Sequence, residues 1–186
     1  RGDYTFGDTT YAQFVEVADG KWEGNKDHRI MMGLGWNPDG LQLTIVVEDD
    51  YHHHTNKEAT KGDAVKILFT DAERRKVLGE FAFALSYPFL ADDFTYDKAR
   101  LTDTDAPQRA GIVEQITGDA AFDVAIRRIQ KTFDPSTGTT VYEFWFAPQT
   151  VGLAKLETNV SFGLGVAVVD SDPDAPGLQG WAGWGP

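Results

Sequence analysis

The chain has 186 residues, a length that suits one domain with a sizeable core. Its 29 acidic and 17 basic residues give a net charge of −12, which argues against nucleic acid or an anionic membrane as a partner, because phosphate binding needs clustered Lys and Arg. It contains no cysteine, which excludes disulfides, zinc thiolate sites, iron–sulfur ligation and thiol catalysis.

Hydrophobic residues alternate with other residues at the period of half-buried β-strands in seven segments: 30–36, 41–47, 65–69, 81–87, 122–126, 142–146 and 162–168. The turn sequences NPDG (37–40) and DPSTG (134–138) predict tight connections between antiparallel neighbours. Helical signals are short and lie at residues 71–76 and after Pro148. The pattern predicts an all-β fold, an antiparallel β-sandwich of the immunoglobulin-like kind with seven or more strands and few short helices.

We find no repeat, low-complexity tract or linker, so we expect residues 1–186 to form a single domain. No apolar run approaches the roughly 20 residues of a membrane span, and no charged-then-apolar leader is present. The chain begins at Arg1, so we expect a mature or excised piece of a larger protein. Residues 88–118 alternate only weakly and predict either an excursion over the surface or a functional loop.

Two predicted strands carry bulky side chains on one face and small ones on the other. The small side is formed by Ala82 and Ala84 in one strand and by Gly163, Gly165 and Ala167 in the other. Such a face leaves room for a ligand across a concave surface or for aromatic core residues of the opposite sheet, and we favour the second interpretation.

Three consecutive histidines occupy the segment EDDYHHHTNKEATKGD (48–63). Extended geometry would send His52 and His54 to one side and His53 to the other, so at most two neighbours can bind one ion. His28 or Asp63 could supply a third ligand, and a transition-metal site therefore stays an open alternative.

Evidence for catalysis is thin. The sequence has no HExxH, GxSxG or GxxxxGK[ST] motif. Glu80, Glu114 and Glu143 are available acids, but no pair of carboxylates stands out as a glycosidase site. We therefore expect a protein that is not an enzyme.

Five motifs follow one another along the chain: W22-E-G-x-x-D27, GWNPDGLQLTIVVEDD (35–50), KGDAVKILF (61–69), VYEFWFAPQTVGL (141–153), and FGLGVAVVDSDP (162–173) with the terminal GWAGWGP. Together they resemble family 9 carbohydrate-binding modules and, more broadly, the DOMON-like sugar- and haem-binding sandwiches. The resemblance implies a non-catalytic module, secreted and extracellular or periplasmic, that binds poly- or oligosaccharide. It also implies a polysaccharide-active catalytic domain on the same parent chain.

In the family, two tryptophans sandwich a terminal sugar. Trp184, or alternatively Trp181, matches the C-terminal platform, where the apolar C–H face of a pyranose can pack on an indole ring. This sequence has Lys66 where the family has an acid and Ala82 where a basic residue is expected.

The second platform tryptophan should lie at residues 59–61, where the sequence reads Ala-Thr-Lys. The missing ring could be replaced by one of four nearby aromatic side chains, which are Tyr51, His52, His53 and His54.

The resemblance also implies structural calcium that stiffens the loops. Hard oxygen ligands are offered by two acidic clusters, one formed by Asp49, Asp50 and Asp63 and the other by Asp170, Asp172 and Asp174. The second cluster is not an EF-hand, because Ala175 and Trp181 stand where that motif needs Gly and Glu. The alternative for both clusters is a solvated acidic rim.

Two other functions remain open. DOMON-like sandwiches include haem b electron-transfer domains, for which Met31, Met32 and His28 are candidate axial ligands. The third possibility is a structural or docking sandwich with a degenerate sugar site, because one platform tryptophan is missing.

Overall fold

The computed structural model describes residues 2–6, 14–16, 27–54, 58–85, 99–101, 111–117, 122–130, 138–171 and 180–184. They form β1 (Gly2–Phe6), β2 (Phe14–Glu16), β3 (His28–Asn37), β4 (Gly40–Asp49), β5 (Ala64–Thr70), β6 (Val77–Leu85), β7 (Ala99–Leu101), β8 (Gly111–Thr117), β9 (Phe122–Gln130), β10 (Gly138–Phe146), a 3₁₀ turn (Pro148–Val151), β11 (Gly163–Asp170) and β12 (Gly180–Trp184). No helix in these residues is long and apolar enough to cross a membrane.

The strands form two six-stranded sheets. The first sheet has the order β1-β3-β4-β10-β9-β7 and the second has the order β2-β12-β11-β5-β6-β8. Neighbouring strands are antiparallel except β7 and β9, which are parallel. The predicted all-β antiparallel sandwich is confirmed.

Local turn chemistry accounts for the predicted β3–β4 hairpin. Asn37 Oδ1 accepts hydrogen bonds from the backbone N–H groups of Asp39 at 2.8 Å and Gly40 at 3.1 Å. Strands β9 and β10 also pair antiparallel as expected, although residues 134–137 of their turn lie outside the described residues. The short helix after Pro148 is confirmed as the 3₁₀ turn.

The helix predicted at residues 71–76 is wrong. This segment is the β5–β6 turn, in which Asp71 Oδ1 accepts hydrogen bonds from the backbone N–H groups of Arg75 and Lys76. Arg74 has a left-handed φ of 59°, which is incompatible with a right-handed helix.

Five strands were not predicted: β1, β2, β7, β8 and β12. Four of them are sheet edges, and β8 pairs with β6 inside the stretch that we expected to be only an excursion or a loop. Edge strands obtain their hydrogen bonds from a neighbour on one side only and do not require a clean alternation of buried residues.

Phenylalanine rings join the two sheets. The rings of Phe69 and Phe146 lie 4.9 Å apart between centroids, and those of Phe83 and Phe144 lie 4.6 Å apart. Both pairs cross from the second sheet to the first. Aromatic contacts of this kind combine a large buried area with preferred ring geometries, and they form the centre of the core.

The small-residue face of the second sheet points away from this core. Phe81 and Phe83 are core residues, so the alternating Ala82 and Ala84 belong to the outer face. The favoured interpretation, in which opposite-sheet aromatics pack on the small residues, is therefore wrong. Small apolar residues form a separate buried cluster there, which consists of Ala59, Ala64, Ala82, Ala84 and Val169.

Candidate functional site

Five polar side chains meet at one end of the sandwich and form what we call the acid–histidine cluster: His28, Asp49, His52, Asp63 and Asp170. They come from the start of β3, the end of β4, the β4–β5 loop and the end of β11. Each is at most 4% exposed. Burying several ionisable groups together is costly unless they are paired, hydrogen-bonded or bound to a cation.

Asp63 connects the elements of this cluster. Its Oδ1 accepts a hydrogen bond from the backbone N–H of Ser171 at 2.7 Å, and its Oδ2 accepts one from the backbone N–H of His53 at 2.5 Å. The backbone N–H of Asp63 donates in turn to the carbonyl oxygen of His53 at 2.9 Å. One carboxylate thus joins the β4–β5 loop to the end of β11.

The orientation of His52 is fixed by two contacts. Its Nε2 lies 2.8 Å from the carbonyl oxygen of Leu85, which can only accept, so Nε2 carries a proton. Its Nδ1 lies 3.1 Å from Asp63 Oδ2. A lone pair on Nδ1 would face a carboxylate oxygen, so this geometry favours a second proton on the ring or a cation nearby.

The three adjacent histidines divide as extended geometry predicts. His52 and His54 are buried, whereas His53 is partly exposed. His54 donates from Nδ1 to the carbonyl oxygen of Asp63 at 3.1 Å. Gly62 has a φ of 150°, and a Cβ at this position would lie 2.6 Å from His54 Nδ1, so only glycine fits beneath this ring.

Among the four aromatic side chains of the β4–β5 loop, those of Tyr51 and His53 are accessible to a ligand. Both are partly exposed, and their ring centroids lie 6.1 Å apart at an angle of 33°. Burial lowers the pKa of His53, so its ring is neutral at neutral pH. Both rings can stack on an uncharged ligand.

His28 is fully buried beside Asp170. The distance from its Nδ1 to Asp170 Oδ1 is 3.6 Å, yet burial lowers the pKa of His28 to about 3. The ring is therefore neutral at neutral pH, and this contact is not an ion pair. Neutral imidazole is also the form that binds a metal ion.

Two sets of three side chains could hold a cation. One contains His28, Asp49 and Asp170, and the other contains Asp49, His52 and Asp63; the ligand atoms of each set lie within 4.8 Å of one another. Asp49 is shared, so the two acidic clusters inferred from the sequence meet at one place. Asp50 is exposed and belongs to neither set, while Asp172 and Asp174 lie outside the described residues.

The outer face of the second sheet carries a separate surface around Trp181. Its indole ring lies over Gly183, where a Cβ would come within 2.8 Å of the ring, and it remains 37% exposed. Trp181 lines a cavity of about 250 Å³ with Lys66, Ala167 and Val169. The Nζ of Lys66 lies 3.3 Å from Glu80 Oε1, which places a polar pair beside an aromatic platform.

The two C-terminal tryptophans are three residues apart in β12. Trp181 pairs with Val169, and Trp184 pairs with Val166, which belongs to the core between the sheets. The side chain of Trp184 lies outside the described residues. Of the two platform candidates, the Trp181 side chain is the one seen to line a cavity.

Sequence reasoning missed two features of these surfaces. It treated Glu80 only as a possible catalytic acid, although Glu80 pairs with Lys66. It also missed the role of Gly183, whose lack of a side chain lets the Trp181 ring lie along the sheet. The signal for the second feature was a glycine two residues after Trp181, because residues i and i+2 share one face of a strand.

Of the candidate haem ligands, Met32 is buried in the core and Met31 is only partly buried on the other face of β3. His28 lies in the acid–histidine cluster. His28 and Met32 share the buried face of β3, four residues apart.

Comparison with known proteins supports the fold. No protein-family model and no curated protein matches the sequence. A family 9 carbohydrate-binding module from Caldicellulosiruptor kristjanssonii in complex with cellotriose matches with a TM-score of 0.53 at 13% identity, over 92% of this chain and 68% of that chain. The same kind of module in complex with glucose matches with a TM-score of 0.52 at 13% identity, over 92% and 70%. The chain thus has a fold like that of the family 9 modules.

We predict that Asp63→Asn lowers the free energy of unfolding by about 2–3 kcal/mol, because the amide cannot accept hydrogen bonds at both positions and leaves a buried N–H unpaired. Urea denaturation measures the change. Glu58→Gln is the matched control: its ion pair with Lys61 is exposed, so we expect less than about 0.5 kcal/mol. Equal effects of the two variants would show that Asp63 does not hold this end together.

We predict that acid weakens the fold through His28. The pKa of His28 is about 3 in the folded chain and lies below the ordinary value of 6.5. At a pH between these two values, His28 is protonated in the unfolded chain but not in the folded chain. The free energy of unfolding should fall by up to about 1.4 kcal/mol for each pH unit between pH 6.5 and about 3. Urea denaturation in the presence of a chelator measures the free energy of unfolding at pH 6.5 and at pH 5. We expect this free energy to fall less in His28→Gln than in the wild type. His53→Gln, which alters a partly exposed ring, should keep most of the fall; an unchanged slope in His28→Gln would contradict the prediction.

Proposed function

We propose that this protein is a non-catalytic carbohydrate-binding module. The observation that carries the proposal is the surface around Trp181, on a sandwich whose fold matches that of carbohydrate-binding modules. An exposed indole offers an apolar platform for the C–H face of a pyranose, and the Lys66–Glu80 pair offers polar partners for its hydroxyl groups.

The ligand that fits this surface is a neutral poly- or oligosaccharide. The chain has a net charge of −12, so long-range electrostatics disfavour anionic polymers. Tyr51 and His53 supply a second pair of partly exposed rings in the loop before β5, where the sequence lacks a platform tryptophan. They are the aromatic side chains of this loop that remain accessible for stacking.

The proposed setting follows from the same class of protein. A binding module of this kind concentrates a catalytic domain on an insoluble substrate, so we propose that the parent chain carries a polysaccharide-active enzyme and acts outside the cell or in the periplasm. The alternatives are haem binding, for which His28 and Met32 share one face of β3, and a purely structural role.

We also propose that the acid–histidine cluster holds a calcium ion that stiffens this end of the sandwich. Asp49 and Asp170 offer carboxylate oxygens of the kind that calcium prefers, and Asp63 contributes a third, although its two oxygens already accept backbone hydrogen bonds. His28 and His52 add nitrogen donors, which transition metals favour. The chain's own contacts orient these groups, and a bound cation would neutralise their buried negative charge.

We expect Trp181→Ala to weaken binding of cellotriose at least tenfold, which corresponds to about 1.4 kcal/mol, because the variant loses the stacking platform. Isothermal titration calorimetry measures the affinity. Trp145→Ala is the matched control, since Trp145 is 36% exposed, close to the 37% of Trp181, but belongs to the first sheet. Unchanged affinity in Trp181→Ala, or no binding by the wild type to cellotriose, xylan or mannan, would overturn the proposal.

We expect added calcium to raise the thermal unfolding midpoint and a chelator to lower it, because an ion that binds only the folded state stabilises that state. At an ion concentration 100 times the dissociation constant, the stabilisation is about 2.7 kcal/mol. Asp49→Asn should abolish the response, whereas Asp39→Asn, an exposed acid at the opposite end of β4, should retain it. A response to zinc but not to calcium would replace the calcium proposal with a transition-metal site, and no response to either would remove both.

A further inference from the structure

A second cavity lies at the opposite end of the sandwich from the acid–histidine cluster. It has a volume of about 240 Å³ and lies between the β3–β4 hairpin and the segment that precedes β11. Along the chain, Phe162 in this cavity is seven residues from Val169 in the Trp181 cavity, or about 23 Å at the rise of a β-strand. The two cavities are therefore separate places on the molecule.

Trp36 forms one wall and is unusually exposed for its position. It pairs with Leu41, which is 4% exposed and belongs to the core, yet 54% of Trp36 is accessible. Val160, on the other wall, is 37% exposed. Large apolar side chains that share an open cavity are more typical of a ligand surface than of scattered surface residues.

Backbone contacts hold the cavity in shape. The backbone N–H of Leu156 donates to the carbonyl oxygen of Pro38 at 3.0 Å, which ties the second wall to the β3–β4 hairpin. The N–H of Val160 donates to the carbonyl oxygen of Glu157 at 3.3 Å, and Asn159 in this turn has a left-handed φ of 70°. A cavity formed in this way binds a ligand without ordering its own walls first.

The lining selects a neutral ligand with an apolar face and a polar edge. Leu34, Leu41 and Phe162 supply an apolar floor, whereas the exposed rim consists of Glu157, Thr158 and Asn159. Lys155 forms an ion pair with Glu157 and offsets its charge. Among the described residues, no basic side chain lines this cavity, and the net charge of −12 disfavours anions.

We propose that this cavity is a second carbohydrate-binding site that takes one pyranose ring. The ring stacks on Trp36, and its hydroxyl groups meet the amide of Asn159 and the hydroxyl of Thr158. The volume equals that of roughly eight water molecules, which suits one sugar ring and not a longer chain inside the cavity. Two separate sites would let one module contact two polysaccharide segments and raise its avidity.

The test is nuclear magnetic resonance on the ¹⁵N-labelled protein, which follows each tryptophan indole N–H separately. Trp36→Phe, Trp145→Phe and Trp181→Phe assign the three relevant signals. Methyl β-glucopyranoside and cellotriose are the probes, and cyclohexanol is an apolar ring without the sugar's hydroxyl pattern. We expect both sugars to shift the Trp36 indole and the Asn159 side-chain amide in a saturable manner, with no shift at Trp145.

Two variants separate binding from folding. In Trp36→Ala, the sugar affinity measured from the shift of the Asn159 signal should be at least tenfold weaker. The response of the Trp181 signal should persist. Asn159→Gly removes the amide but suits the left-handed backbone, so it should fold normally and weaken binding severalfold.

Three results would overturn the proposal: no shift at Trp36 with either sugar, cyclohexanol binding as tightly as the sugars, or loss of the Trp36 response in Trp181→Ala. The absence of a Trp36 shift would leave the proposed Trp181 site intact. Equally tight binding of cyclohexanol would mean that the cavity is an apolar crevice without sugar specificity. Loss of the Trp36 response in Trp181→Ala would mean that this response is a remote effect of binding at Trp181. Conversely, a Trp36 response without a Trp181 response would contradict the site proposed at Trp181 and support the site proposed at Trp36.

Discussion

The buried carboxylate of Asp63 is the contact on which one end of this sandwich depends. It accepts hydrogen bonds from the backbone of Ser171 and His53 and faces the ring of His52. Because these partners come from the β4–β5 loop and the end of β11, one side chain determines how the loop is folded over the second sheet. The rings of His52 and His54 are thereby buried, whereas Tyr51 and His53 are partly exposed.

Two glycines determine where tryptophan rings lie on the outside of the sheets. Gly183 allows the indole of Trp181 to lie along the second sheet, and Gly40 does the same for Trp145 on the first, because a Cβ at either position would overlap the ring. Phenylalanines fill the space between the sheets, so the outer faces are free to carry binding surfaces. Rigid sheets with flat aromatic rings suit ligands that are themselves flat and only partly polar.

Patterns of alternating burial made the central strands predictable. Strands β3, β4, β5, β6, β9, β10 and β11 each bury one face against the core, and this requirement is visible in the sequence because side chains alternate along a strand. The sequence pattern did not predict the edge strands β1, β2, β7 and β8 or the glycine-containing β12. Backbone pairing with a neighbouring strand leaves a weaker pattern in the sequence than the burial of one face does. The helix expected at residues 71–76 failed because Asp71 hydrogen-bonds its own turn.

The sequence by itself determined the two-sheet architecture, the β3–β4 turn and the residue types available for binding, because periodicity and turn chemistry are local properties. Only the tertiary structure decided which of those residues meet. Asp49 and Asp63 come together with Asp170, more than 100 positions away, because β5 pairs with β11. Likewise, only the sheet order placed Trp181 beside Lys66 and left Trp36 open above the segment that precedes β11. Long-range pairing brings such residues together, and no local pattern records it.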